Sequence, residues 1–137
     1  MLLAATILPG CGGTETASKS KEAAPIKPLS VVYGLYVGRH RGQAPPNEAE
    51  LKAFAASPDA KPILDTFKVA SFESLLTSPR DNKPYVIVYG APKGPPGPGM
   101  APVVIYEQQG SGGMRYVASS LGAIEEVDEA TFKKYVP

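Results

Sequence analysis

The chain has 137 residues, 43% of them hydrophobic and 20% charged, a balance typical of globular domains and outside the low-hydrophobicity, high-charge regime that keeps chains disordered. A net charge of +1 leaves no basic stripe for a polyanion, so nucleic acid is excluded as an expected partner. One cysteine and one histidine rule out an intramolecular disulfide framework and a Cys/His zinc site, so no metal or cofactor is expected.

Residues 1 to 8 read Met-Leu-Leu-Ala-Ala-Thr-Ile-Leu, an apolar run of signal-peptide length and far short of the roughly 20 residues that span a bilayer. Leu8-Pro9-Gly10-Cys11 follows, and it resembles the lipobox of bacterial lipoproteins. Pro9 stands where a small residue such as Ala or Ser is usual, and no Lys or Arg precedes the apolar run; a start codon set too far downstream would explain both the missing charge and the shortness of the run. The resemblance implies a signal peptide over 1–10, with Leu8, Pro9 and Gly10 read by the signal peptidase. A diacylglyceryl group is expected on the Cys11 sulfur, and cleavage at the Gly10–Cys11 bond. It also implies a cell-envelope address with the domain outside the cytoplasm, and Gly12 after the cysteine fits an outer membrane where the host has one. Two acyl chains on one residue supply the two anchors that stable membrane attachment needs.

Residues 11–28 are polar and small, without sustained apolar periodicity, and read as a flexible linker. That leaves 29–137 as a single α+β domain. Leu29, Val32, Tyr33, Tyr36, Val37 and His40 recur at helical spacing behind Pro28, which predicts a first helix ending near Gly42. Gly34 and Gly38, four apart on one face, suggest a close backbone approach. Asn47 followed by Glu50 predicts a capped second helix to about Ala56. Between Lys61 and Leu76, a helical turn with Ile63, Leu64 and Phe67 leads into an extended piece, and Ser71 can cap a turn carrying Phe72, Leu75 and Leu76.

Fifteen prolines and fourteen glycines assign long stretches to loops. Ser78 to Lys83 is a turn before a strand over Pro84–Tyr89, rich in β-branched and aromatic residues. The loop 91–101, with Gly94-Pro95-Pro96-Gly97-Pro98-Gly99, is stiff and polyproline-like rather than collagenous, since a triple helix needs many repeats. Strands over Val103–Gln108, Met114–Ser119 and Ala123–Val127 complete an antiparallel meander of about four strands. Asp128 caps a short last helix, whose Phe132, Tyr135 and Val136 face the sheet.

The segment Tyr36-Val37-Gly38-Arg39-His40-Arg41-Gly42-Gln43-Ala44-Pro45-Pro46, a short helix, then Ser78-Pro79-Arg80-Asp81-Asn82-Lys83-Pro84-Tyr85, together with the tail Gly122 to Phe132, is similar to the globular head of type II secretion pseudopilins and related prepilin-type proteins. The likeness covers roughly Leu29 to Val136. It implies an N-terminal helix packed on a small antiparallel sheet. Leu121 stands in place of the acid expected before Gly122, so no acidic role carries over there. Without a prepilin peptidase site or a long apolar stalk helix, the likeness implies a head moved from a filament to a lipid anchor.

His40, between Arg39 and Arg41, is a candidate base or anion-binding group, but it has no fixed acidic or nucleophilic partner in sequence. Glu125, Glu126, Asp128 and Glu129 lack EF-hand spacing and read as a solvated strand and helix cap. No catalytic set emerges. Three functions stand side by side: a non-enzymatic envelope lipoprotein that binds an envelope protein partner or plays a structural role; a small enzyme or ligand-binding protein using a helix–sheet cleft near His40 or Glu125 and Glu126; and an accessory component of a pilus or secretion system.

Overall fold

The computed structural model describes residues 24–137; Leu8, Pro9, Gly10, Cys11 and the linker as far as residue 23 lie outside the described residues. The first helix, α1, is Lys27–Arg39, with a proline in its first turn, where the missing N–H costs nothing. Its buried residues Leu29, Val32, Tyr33 and Tyr36 follow the spacing that predicted it.

Two expectations about this region are corrected. The packed domain begins earlier than residue 29, because Ala24 is 3% exposed and Ile26 fully buried. A single isoleucine among polar residues sets up no period, yet burying it contributes about 1.5–3 kcal/mol. Nor do Gly34 and Gly38 serve close packing: a Cβ added at either meets nothing within 4 Å.

The helix closes on His40, and Gly42 N–H then donates to Val37 O at 2.9 Å. This 6→1 bond puts Arg41 in the left-handed position usually given to glycine (φ 56°). Helix α2 is Glu48–Ala55, capped where Asn47 Oδ1 accepts the Glu50 N–H at 2.9 Å. Helix α3 is Lys61–Thr66, and a 3-10 turn over Phe72–Leu75 starts at Ser71, whose hydroxyl accepts from Ser74 N–H.

Strands β1 (Val86–Ile87), β2 (Val103–Tyr106), β3 (Met114–Ser119) and β4 (Ile124–Asp128) form an antiparallel sheet in the order β1-β2-β3-β4, the expected meander. β1 is much shorter than Pro84–Tyr89. Its flanks make other bonds: Tyr85 N–H donates to Leu76 O (2.8 Å) and Gly90 N–H to Pro45 O (2.9 Å), whereas Val88 N–H still donates to Val104 O of β2 (2.7 Å) while its carbonyl accepts the Tyr33 hydroxyl (2.8 Å). β2 stops at Tyr106 rather than Gln108, because the side chain of Glu107 takes the next position in the ladder. Helix α4 is Glu129–Tyr135, capped by Asp128 Oδ1 on Thr131 N–H at 2.8 Å.

The sheet separates two cores. On one face Val104, Ile105, Tyr116 and Ala118 pack with Ile26, Leu29, Val32, Tyr33 and Leu51 from the helical side. On the other, Val103, Val117 and Val127 pack with Phe132 of α4, flanked by Tyr106, Tyr135 and Val136. The register steps from Val103↔Ser119 to Ile105↔Ala118, two residues of β2 against one of β3. That bulge lets neighbouring Val104 and Ile105 both serve the larger core. Helices α1 to α3 thus cover one face of the sheet and α4 the other, an α+β fold with the N-terminal helix on a four-stranded antiparallel sheet and a short C-terminal helix.

Candidate functional site

The densest polar chemistry lies where the turn Ser78–Lys83 meets the β2–β3 hairpin. Glu107 follows the apolar run of β2, and its alternation with Ile105 turns it inward, leaving it 0% exposed. A carboxylate there needs partners. Its Oε2 accepts the Ser78 hydroxyl proton at 2.6 Å and lies 3.2 Å from Arg80 Nε, while Oε1 accepts the Tyr116 N–H at 2.7 Å. In a continued ladder that N–H would go to a carbonyl of β2, so the carboxylate ends the strand. Arg80 spans the cluster: Nη1 donates to Glu126 Oε2, Nη2 to Met114 O at 3.0 Å, and the guanidinium lies 4.4 Å from the centre of the Tyr116 ring. Burial pulls the Arg80 pKa down, but the Glu126 hydrogen bond and the charges of Glu107 and Glu126 outweigh it and hold the group above its ordinary value.

The same turn is fixed at a second point. Asp81 Oδ2 accepts N–H groups of Gln109 (3.0 Å) and Gly110 (2.9 Å), and Oδ1 accepts that of Lys83 (2.9 Å). Partial burial raises the carboxyl, yet these backbone donors prevail and hold it below the usual carboxylate range. Gly110 is required at this junction, because at φ 73° a Cβ would sit 2.0 Å from Met114 O. Ser78 donates to Glu107 and accepts from the Arg80 N–H at 3.1 Å, so its hydroxyl is engaged in both directions. The chemistry of this cluster is that of a clasp.

Sequence reasoning identified the turn but missed Arg80 and Glu107 as partners. The available signal was an acid in phase with a buried strand, which calls for a cation from elsewhere in the chain.

His40 lies at the C-terminal end of α1, its Nδ1 2.8 Å from Tyr36 O. Its ring stacks on Tyr36 at 3.8 Å between centroids and meets Phe54 edge-on at 6.0 Å. Arg39, His40, Arg41 and Gln43 line an open hollow of about 380 Å³, and Arg39 lies 3.8 Å from Asp59. Glu125 and Glu126 fall on opposite faces of β4: Tyr135 hydroxyl reaches Glu125 Oε2 at 3.4 Å, whereas Glu126 turns to Arg80. Glu129 pairs with Arg115 at 3.0 Å, and Asp128 caps α4. The four acids are therefore distributed among separate partners, and neither Glu125 nor Glu126 meets His40. Side chains of the larger core pack between α1 and the sheet, and the hollow at His40 lies at the C-terminal end of α1. A second hollow, about 310 Å³, lies instead on the α4 side, lined in part by Val103, Tyr106, Tyr135 and Lys93.

Among the described residues no group of three or more His, Cys, Asp or Glu side chains is placed to hold a metal ion, and no helix is long and apolar enough to cross a membrane. Compared with protein-family profiles, curated proteins and solved structures, the chain matches none.

Proposed function

We propose that the chain is a lipid-anchored lipoprotein of the cell envelope, and that its domain is a non-enzymatic binding or structural module held at a membrane surface. The observation that carries the reading is the run Leu8-Pro9-Gly10-Cys11 behind seven residues of signal-peptide character. Acylation requires the Cys11 thiol, and the small Gly10 fits the cleavage position. The packed part of the chain has begun by Ala24, leaving twelve residues between it and Cys11, a tether of at most about 40 Å. The reading is further supported by what the reactive side chains do: Ser78, Glu107, Arg80 and His40 all hold the fold together.

The test is metabolic labelling with a fatty acid in cells producing the wild type and Cys11→Ser, followed by fractionation. Label and membrane association confined to the wild type support the anchor; equal labelling of both refutes it. Cross-linking in intact cells then asks for an envelope protein partner, and repeated failure to capture one counts against a binding role.

The order of a tyrosine-bearing helix, a short capped helix, the Ser78–Tyr85 turn and a meander favours a second reading, an accessory of a pilus or secretion system. Co-purification with the components of such a system would support it.

A further inference from the structure

Among the described residues, the large hydrophobic side chains left in solvent are Met100, 83% exposed, and Leu121, 74% exposed. They lie on two loops that meet. Met100 ends the 3-10 turn Pro98–Met100 in the proline-rich loop, and Leu121 sits at the tip of the β3–β4 turn, closed by Gly122 N–H on Ser119 O at 2.9 Å. The two loops touch: a Cβ at Gly99 would lie 2.9 Å from Ala123 Cβ, and Ser120 N–H donates to Pro102 O at 3.1 Å.

Two further features set this end of the molecule apart. Met100 adopts φ 64°, a left-handed conformation disfavoured for a residue with a Cβ, and packing gives it nothing in return. The two loops themselves carry no charged side chain, since neither 94–106 nor 116–124 contains an Asp, Glu, Lys or Arg. A protein–protein patch would be expected to have a polar rim. An uncharged, two-pronged tip suits the headgroup–acyl boundary of a bilayer, where charge is costly and apolar side chains gain.

From these features we propose that Met100 and Leu121 form a membrane-contacting tip that orients the domain on the lipid surface, an inference that rests on the lipid-anchor reading. Two side chains bind a bilayer too weakly to recruit a free protein. On a tether the demand is smaller, because the local concentration is already on the order of millimolar. The tether also reaches. A domain of this length has a radius of gyration of about 13 Å and is roughly 35 Å across, less than the contour of the twelve residues after Cys11. The tip therefore reaches the bilayer from most exit positions of Ala24, the exception being the face directly opposite it, where the path around the domain outruns the tether.

The chain has no tryptophan and a single cysteine, which makes the test specific. Full-length L121W and M100W, each coupled through Cys11 to a maleimide lipid in zwitterionic vesicles, are compared with A130W on the exposed part of α4. Brominated acyl chains should quench the indole fluorescence of L121W and M100W at least about two-fold and leave that of A130W nearly unchanged. Adding Met100→Ser to L121W should reduce the quenching. Equal quenching in all three variants, or none in L121W, overturns the proposal. So does shielding of the L121W indole that rises with protein concentration in the absence of lipid, which would make a second copy the occupant. Because the anchor here is supplied chemically, failure of quenching refutes the tip alone, and the fatty-acid labelling of Cys11→Ser decides the anchor separately.

Discussion

Replacing Arg80 with methionine isolates the clasp that joins the Ser78–Lys83 turn to the sheet. The substitution keeps an apolar stem of similar length and removes the contacts to Glu107, Glu126 and Met114 O together with the stack on Tyr116. Glu107, fully buried, then keeps only the Ser78 hydroxyl and the Tyr116 N–H. Breaking a buried ion pair from one side typically costs about 3–5 kcal/mol, because a charge is left uncompensated. The two remaining donors place this case at the lower end, about 3 kcal/mol, or a fall in Tm of roughly 12 °C for a domain of this size. Urea denaturation of wild type, Arg80→Met, Glu107→Gln and the double variant measures it as a cycle. Neutralising the stranded carboxylate should restore about 1–2 kcal/mol, so the double variant should be more stable than Arg80→Met alone. A loss below about 1 kcal/mol in Arg80→Met, the range of exposed pairs, or no recovery in the double variant, would refute this account of the clasp.

Gly34→Ala and Gly38→Ala should each stabilise the protein by about 0.5–1 kcal/mol, since a Cβ meets nothing at either site; thermal unfolding checks this, and a loss would mean that the face is packed. Stability should also decline in acid. The Asp81 and Asp128 carboxyls lie below their ordinary range in the folded chain, the latter chiefly through the Thr131 N–H. Their contribution is present above the unfolded value of about 3.9 and is lost as pH falls through the lower folded values, so a Tm series should drop on acidification, less steeply in Asp81→Asn. At the alkaline end, burial pushes Tyr33, Tyr85 and Tyr89 up to about 12. Neutral phenols hold the fold below the unfolded value near 10 and lose that contribution as pH rises through about 12. Tyrosinate absorbance should therefore show these three ionising last.

What the sequence revealed were the features set by neighbours along the chain. Helical spacing from Leu29 to Tyr36, the caps at Asn47, Ser71 and Asp128, and the strand–turn rhythm of the meander are local physics, and they place α1, α2, α4 and the sheet. Element ends were misjudged wherever a distant group took the next backbone partner. β1 contracts because Leu76 O takes the Tyr85 N–H and the Tyr33 hydroxyl takes the Val88 carbonyl, and β2 stops because the Glu107 carboxylate takes a ladder position.

The clasp was illegible for the same reason. Arg80 and Glu126 are 46 residues apart, and only the folded hairpin makes them neighbours, while the more conspicuous His40 serves a helix end and Asp128 a cap. Charges that look available in sequence are thus consumed by local structure, whereas the buried pair is announced only by an acid in phase with a hydrophobic strand. The reverse holds for Met100 and Leu121. Apolar residues in Pro/Gly-rich or Ser/Gly-rich turns look like ordinary loop composition, and they stand out only when the fold leaves two of them in solvent on loops that touch.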